Sequence, residues 1–96
     1  MHFHTVLFQF AEETSSEVIE DVLAHLRAME AIPSVRTIVV GSNMMPVVDG
    51  WTHGMTIVFD SYQVMREEFG GHPLHLDVVR DQVPIFSRYM AMDLEL

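Results

Sequence analysis

Phe69-Gly70-Gly71-His72-Pro73-Leu74-His75-Leu76 decides how the rest of the chain is read. Gly70 and Gly71 end one helix. Pro73 opens the next, because proline at the first helical position gives up an N–H that has no intrahelical partner. From His72, helical spacing runs through His75, Leu76, Val79 and Val83, which a 3.6-residue period sets on one stripe. The stripe predicts that both imidazoles point inward with the aliphatic side chains. A helix N-terminus is partly positive and disfavours imidazolium. Neutral imidazoles there suit proton transfer near pH 7. The bland alternative is a pair of core histidines whose ring nitrogens are simply hydrogen-bonded.

Upstream of this stretch, Asp60 is expected to cap a short helix anchored by Met65 and Phe69. Downstream, Pro84 breaks the second helix near Val83. Residues 85–94 then read as a strand, with Phe86, Arg88, Met90, Met92 and Leu94 on one face and Tyr89 on the other. Residues 51–59 read as another strand, in which Trp51, His53, Met55, Ile57 and Phe59 share a face. Residues 35–40 are β-branched and read as a strand too. Between these two, Met44, Met45, Val47 and Val48 make the loop 41–50 unusually apolar, which points to contact with a partner subunit or a pocket rim.

Nearer the start, residues 2–10 alternate as a strand, with His2, His4, Val6, Phe8 and Phe10 on one face. Thr14-Ser15-Ser16-Glu17 fits a capping box for a helix over about 15–31. Val18, Ile19, Val22, Leu26 and Met29 form its apolar stripe, His25 lies on the stripe's edge, and Pro33 ends it. The order is β-α-β-β-α(α)-β. That order predicts an α+β, ferredoxin-like fold, a four-stranded antiparallel sheet with helices on one face. The strands are apolar on both faces, and one helical layer covers only one. A homodimer with two sheets face to face is therefore expected.

Ninety-six residues form one domain, 1–96, with no room for two cores. The net charge of −9 argues against nucleic acid or an anionic membrane as partner. The five bases are all Arg and there is no Cys, which excludes a Schiff-base lysine, a thiol nucleophile and Cys-ligated metal. Met1-His2-Phe3-His4 has neither a basic leader nor a long apolar run, so the expected compartment is the cytoplasm. No nucleophile elbow or phosphate loop is present.

The chemistry therefore falls to histidine. His4 and His53 on the sheet and His75 on the covering helix are expected to converge in one hollow lined by Phe8, Leu26, Met55, Leu76 and Val79. An apolar pocket with a few convergent polar groups is the default ligand site. The motifs contain no acid, which favours neutral imidazoles. His2-x-His4 with His72-x-x-His75 could also hold zinc, but the motifs supply no acidic outer shell. No metal and no cofactor are assigned.

Four segments together resemble the Dabb family, the stress-responsive dimeric A/B barrel. They are His4-Thr5-Val6-Leu7-Phe8-Gln9-Phe10, the helix end at Ile32-Pro33, Trp51-Thr52-His53, and His72-Pro73-Leu74-His75. The resemblance implies a ferredoxin-like monomer and a homodimeric barrel. The family's best-understood branch is that of plant polyketide cyclases similar to olivetolic acid cyclase. These close an aromatic ring by intramolecular aldol condensation without metal or organic cofactor. By resemblance, His75 would be the general base, with His4 and His53 in the same cleft. The cyclases carry a tyrosine where this chain has Phe69, and another pocket tyrosine where it has His25. Losing one such donor costs about 10²–10³ in rate, so His4, His53, Tyr62 or Tyr89 would have to substitute. The expected function is a cyclase-like enzyme acting on a small hydrophobic poly-β-keto or phenolic substrate, with His25, Phe69, His72, Met55, Leu26 and Val79 around it. The alternative is a non-catalytic dimer that binds a hydrophobic ligand or acts in stress tolerance.

Overall fold

Alternation along the first strand sets the layering. In β1 (His2–Phe10), Val6, Phe8 and Phe10 are buried under the helices, while Phe3, Thr5, Leu7 and Gln9 keep partial exposure on the opposite face. A computed structural model describes residues 1–45 and 48–96. The remaining strands are β2 (Thr37–Ser42), β3 (His53–Phe59) and β4 (Phe86–Glu95). They form one sheet in the order β2-β3-β1-β4, and every pairing is antiparallel. Helices α1 (Ser16–Ala28), α2 (Tyr62–Val64) and α3 (Pro73–Asp81) close over one face. Their seal is a core of Phe8, Ile57, Phe59, Val22, Leu26 and Ile32, each no more than 1% exposed. Each such side chain is worth about 1.5–3 kcal/mol of burial.

Several local expectations shift by a residue or two, each for a visible reason. The α1 cap is Ser15, whose Oγ accepts from the Val18 N–H at 3.2 Å; Thr14 instead closes a turn onto the Ala11 carbonyl. Leu23 joins the buried stripe and Val18 is 40% exposed. Ser61, not Asp60, caps α2, because Asp60 turns outward to Arg36 at 3.2 Å. The chain continues from α2 into a π-helical turn, Met65–Phe69, closed by Gly70 N–H to the Met65 carbonyl. The wider turn brings Phe69 into the core, 3% exposed. Trp51 lies outside β3, under the Arg88 guanidinium at 4.0 Å.

The stripe on α3 also differs. His72 is the cap, with extended backbone angles and its ring Nδ1 accepting from the Leu74 N–H. Helical spacing counted from that cap still sets His75, Val79 and Val83 on the inner cavity, but not Leu76. The inward residues are Val78, buried, with Leu74 and His75 half-buried, while Leu76 is 51% exposed.

A register shift between Gln9 and Phe10 makes Phe10 face Phe86 while Gln9 faces Arg88. One extra residue turns a side chain to the other face. Phe86 therefore stacks on Phe8 at 4.4 Å, on the helix side, and does not share a face with Met90 and Met92. The far face of the sheet stays bare. Val39, Met90, Met92 and Leu94 are 62%, 48%, 52% and 51% exposed there. In the loop, Met44 and Met45 are 89% and 73% exposed; the contacts expected of Val47 and Val48 lie outside the described residues and side chains. Among the described residues no helix is long and apolar enough to cross a membrane.

Candidate functional site

Between the helices and the β4 side of the sheet lies a cavity of about 240 Å³. Its walls are mostly apolar, with Leu26, Met29, Met55 and Val79 among them, and its polar groups are His4, His75 and Tyr89. His4 reaches it because even-numbered residues of β1 face the helices. His75 reaches it from the first turn of α3, which the His72 cap and Pro73 start at a defined residue.

His75 is held from behind. Its Nδ1–H donates to the Gly70 carbonyl at 2.8 Å. A carbonyl can only accept, so Nδ1 carries a proton, and in the neutral imidazole Nε2 is then the nitrogen with the lone pair. That nitrogen has no hydrogen bond among the described residues and is the one left for a ligand. The Phe69 ring packs 4.3 Å from the imidazole, centroid to centroid. It fixes the ring but offers no hydroxyl; the phenol lining this cavity belongs to Tyr89.

His4 is held by a carboxylate. It stands directly opposite Asp93 in the β1–β4 ladder, and its Nδ1 lies 2.8 Å from Asp93 Oδ1. The same oxygen receives His2 Nε2 at 2.7 Å. Burial of the Asp93 carboxyl opposes its ionisation, but the hydrogen bonds from His2 and His4 outweigh that and hold it below the usual carboxylate range. An ionised carboxylate only accepts, so both imidazoles donate to it. In neutral His4, Nε2 is then an acceptor for a ligand hydroxyl. His2 is 2% exposed, lies against Tyr62 at 5.2 Å, and its Nδ1 has no partner among the described residues.

The third expected imidazole is elsewhere. His53 pairs opposite Phe8, four residues along β1 from His4, which at ~3.3 Å per residue is roughly 13 Å. Its ring stacks on Phe8 at 5.6 Å and meets Phe10 edge-on at 5.2 Å. Burial lowers its pKa. Phe8 and Phe86 fill the space between it and the cavity. His25 is also outside, half-exposed on α1, with Nδ1–H donating to the Asp21 carbonyl at 2.8 Å. His72 is committed to capping. Among the expected contact residues, Leu26, Met55, Phe69 and Val79 line the cavity, whereas His25, His72, Phe8 and Leu76 do not. Among the described residues no group of three or more His, Cys, Asp or Glu is placed to hold a metal.

Asp93 is the residue that the motifs did not reveal. Period-two alternation sets it on the same face as Tyr89 and Ala91, so an acid on a helix-facing position was the available signal. A larger, open trough of about 470 Å³ lies on the bare face. Gly41 and Gly54 are in its lining, and so is His53, whose Nδ1 lies 2.8 Å from the Thr52 hydroxyl.

A family model described as the stress responsive A/B barrel domain matches residues 3–96. No curated protein matches the chain. Solved structures do. A Dabb family protein with a ferredoxin-like fold from Mesorhizobium loti is 24% identical; the match covers 99% of this chain and 95% of that one, with a TM-score of 0.84. A dimeric ferredoxin-like protein of unknown function from Thermobifida fusca is 19% identical over 99% and 90%, TM-score 0.84. A hydroxynitrile lyase from Passiflora edulis is 18% identical over 99% and 92%, TM-score 0.88. The likeness to all three is one of fold, the ferredoxin-like arrangement of sheet and helices.

Proposed function

This chain belongs to the stress-responsive A/B barrel (Dabb) family, and on that premise we propose that it is a homodimeric enzyme acting on a small hydrophobic carbonyl compound by acid–base chemistry of its own side chains. The observation that carries the reading is His75: Nδ1 committed to Gly70 at 2.8 Å, Nε2 free in an apolar cavity that also receives His4 and Tyr89. His75 Nε2 takes a proton from the carbon next to the carbonyl. The Tyr89 hydroxyl donates to the carbonyl oxygen as enolate charge develops. His4, steadied by Asp93, accepts from an enol or phenol hydroxyl. An aldol-type ring closure, as in a polyketide cyclase, uses this step; cleavage of a hydroxynitrile would put the same base to work on a hydroxyl proton instead. The lyase among the structural neighbours favours the class without naming the substrate.

The test is deuterium uptake at the α-carbon of phenylacetone in heavy water, followed by NMR. The wild-type protein is expected to accelerate uptake saturably. His75→Ala is expected to lose about 10²–10⁴ of that acceleration while its circular dichroism is retained. Equal uptake in His75→Ala sinks the assigned role. Binding of phenylacetone without uptake by the wild type favours the second reading, a hydrophobic-ligand binder.

The bare sheet face supports the dimer. Met90, Met92 and Leu94 stand up along β4, half-exposed, while the trough lies over β2 and β3. A two-fold axis would set the ridge of one subunit into the trough of the other, as an isologous interface requires. Met92→Glu is expected to give a monomer by analytical ultracentrifugation where the wild type is a dimer. A monomeric wild type removes the dimer from the reading.

A further inference from the structure

We propose that the cleft between α1 and α3 is the far half of the ligand site, closed off from the inner cavity by Met29 and Val78. The ligand would be a carbonyl head with an alkyl tail ending in a hydrogen-bond donor. This deepens the preceding reading and rests on it for the head.

Two hollows lie back to back. The inner cavity sits under the helices; the outer cleft, of about 180 Å³, opens between them. Met29 and Val78 line both, so these two side chains are the partition. Both are buried, Met29 at 2% and Val78 at 7% exposure. Met29 directly follows α1, at its C-cap. An unbranched thioether with three rotatable bonds can swing aside where a branched side chain could not. With Met29 turned, the two hollows become one passage leading out between the helices.

The outer cleft is built to receive a polar end. Gln82 lines it, is only 7% exposed, and its Oε1 is buried with no partner among the described residues. Buried polar atoms are almost always paired. The acids on the rim are already engaged: Arg80 reaches Asp77 at 3.2 Å and Asp81 at 2.7 Å. His25, on the opposite rim, spends its Nδ1–H on the Asp21 carbonyl and is half-exposed to water. Gln82 Oε1 is therefore the buried acceptor left to a ligand, and Leu74 supplies an apolar wall for the tail leading to it.

The experiment is calorimetric binding of phenyl ketones with short and long alkyl tails, each ending in methyl or hydroxyl. In the wild type, affinity is expected to rise about fourfold per added buried methylene. The hydroxyl end is expected to add a further threefold to tenfold or so. Ala28→Phe, which fills the outer cleft, is expected to bring the long-to-short affinity ratio within that one variant down towards unity. Gln82→Met is expected to erase the hydroxyl preference but keep the tail dependence. A wild type that binds long tails no better than short ones overturns the proposal, as does an unchanged ratio in Ala28→Phe. Failure of the short ketone to bind at all overturns the head assignment with it; loss of tail dependence alone leaves proton exchange on the short ketone standing.

Discussion

Two ends of the same sheet face carry imidazoles in opposite surroundings. At one end His4 faces a cavity and leans on Asp93. At the other His53 is wedged among Phe8 and Phe10. Both are helix-facing positions on neighbouring strands. What separates them is four residues of strand and an aromatic block. A face shared in a sheet is a statement about direction, not about proximity.

The strongest way to break this contrast is at the carboxylate. Asp93→Ala strips His4 of its support and leaves the buried His2 N–H without an acceptor. We expect a loss of about 1–3 kcal/mol of stability in denaturant titration, with ketone exchange falling roughly a hundredfold. The acid dependence sharpens it. Asp93 titrates below its usual value in the folded chain, so the stability it supplies is full above the ordinary carboxylate pKa and is lost as pH falls through the lower folded value. The gap between wild type and Asp93→Ala should therefore be open at neutral pH and close below about pH 4. A gap that is independent of pH would mean that the carboxylate contributes no charge.

Smaller effects follow away from that pair. Tyr89→Phe should slow exchange about 10²-fold, the lower end for loss of one donor to developing enolate charge, with stability and phenylacetone affinity little changed. An unaltered rate would pass the donor role to another group. The smallest effect belongs to His53. His53→Phe should leave exchange within about twofold, because no general acid–base contribution of the usual 10²-fold or more resides there. Its signature is in stability. Burial holds the His53 pKa below the usual imidazole value in the folded chain, so the unfolded chain binds the proton more readily and stability falls as pH drops below about 6.5. The variant should show a flatter fall over that range in thermal melts. A hundredfold loss of exchange instead would return His53 to the site.

The layering was legible because it depends on neighbours. Alternation in residues 2–10 correctly turned His4, Val6 and Phe8 toward the helices, and Pro73 correctly opened α3. Helical spacing counted from His72, which caps α3 without joining it, turns Leu76 inward where the structure exposes it. Phe86 reads with Met90 and Met92 because a bulge leaves no mark in the hydrophobic pattern.

Element order, strand faces and the place of His75 on the covering layer were set by local periodicity and by turn residues, which any short window of sequence contains. Which histidines share a hollow was settled only by tertiary structure. The pairing of His4 with Asp93 joins residues 89 apart, and it depends on the β1–β4 register that brings them opposite each other. Register is a relation between distant strands, so β4 alone shows an acid facing the helices but not that it stands behind His4.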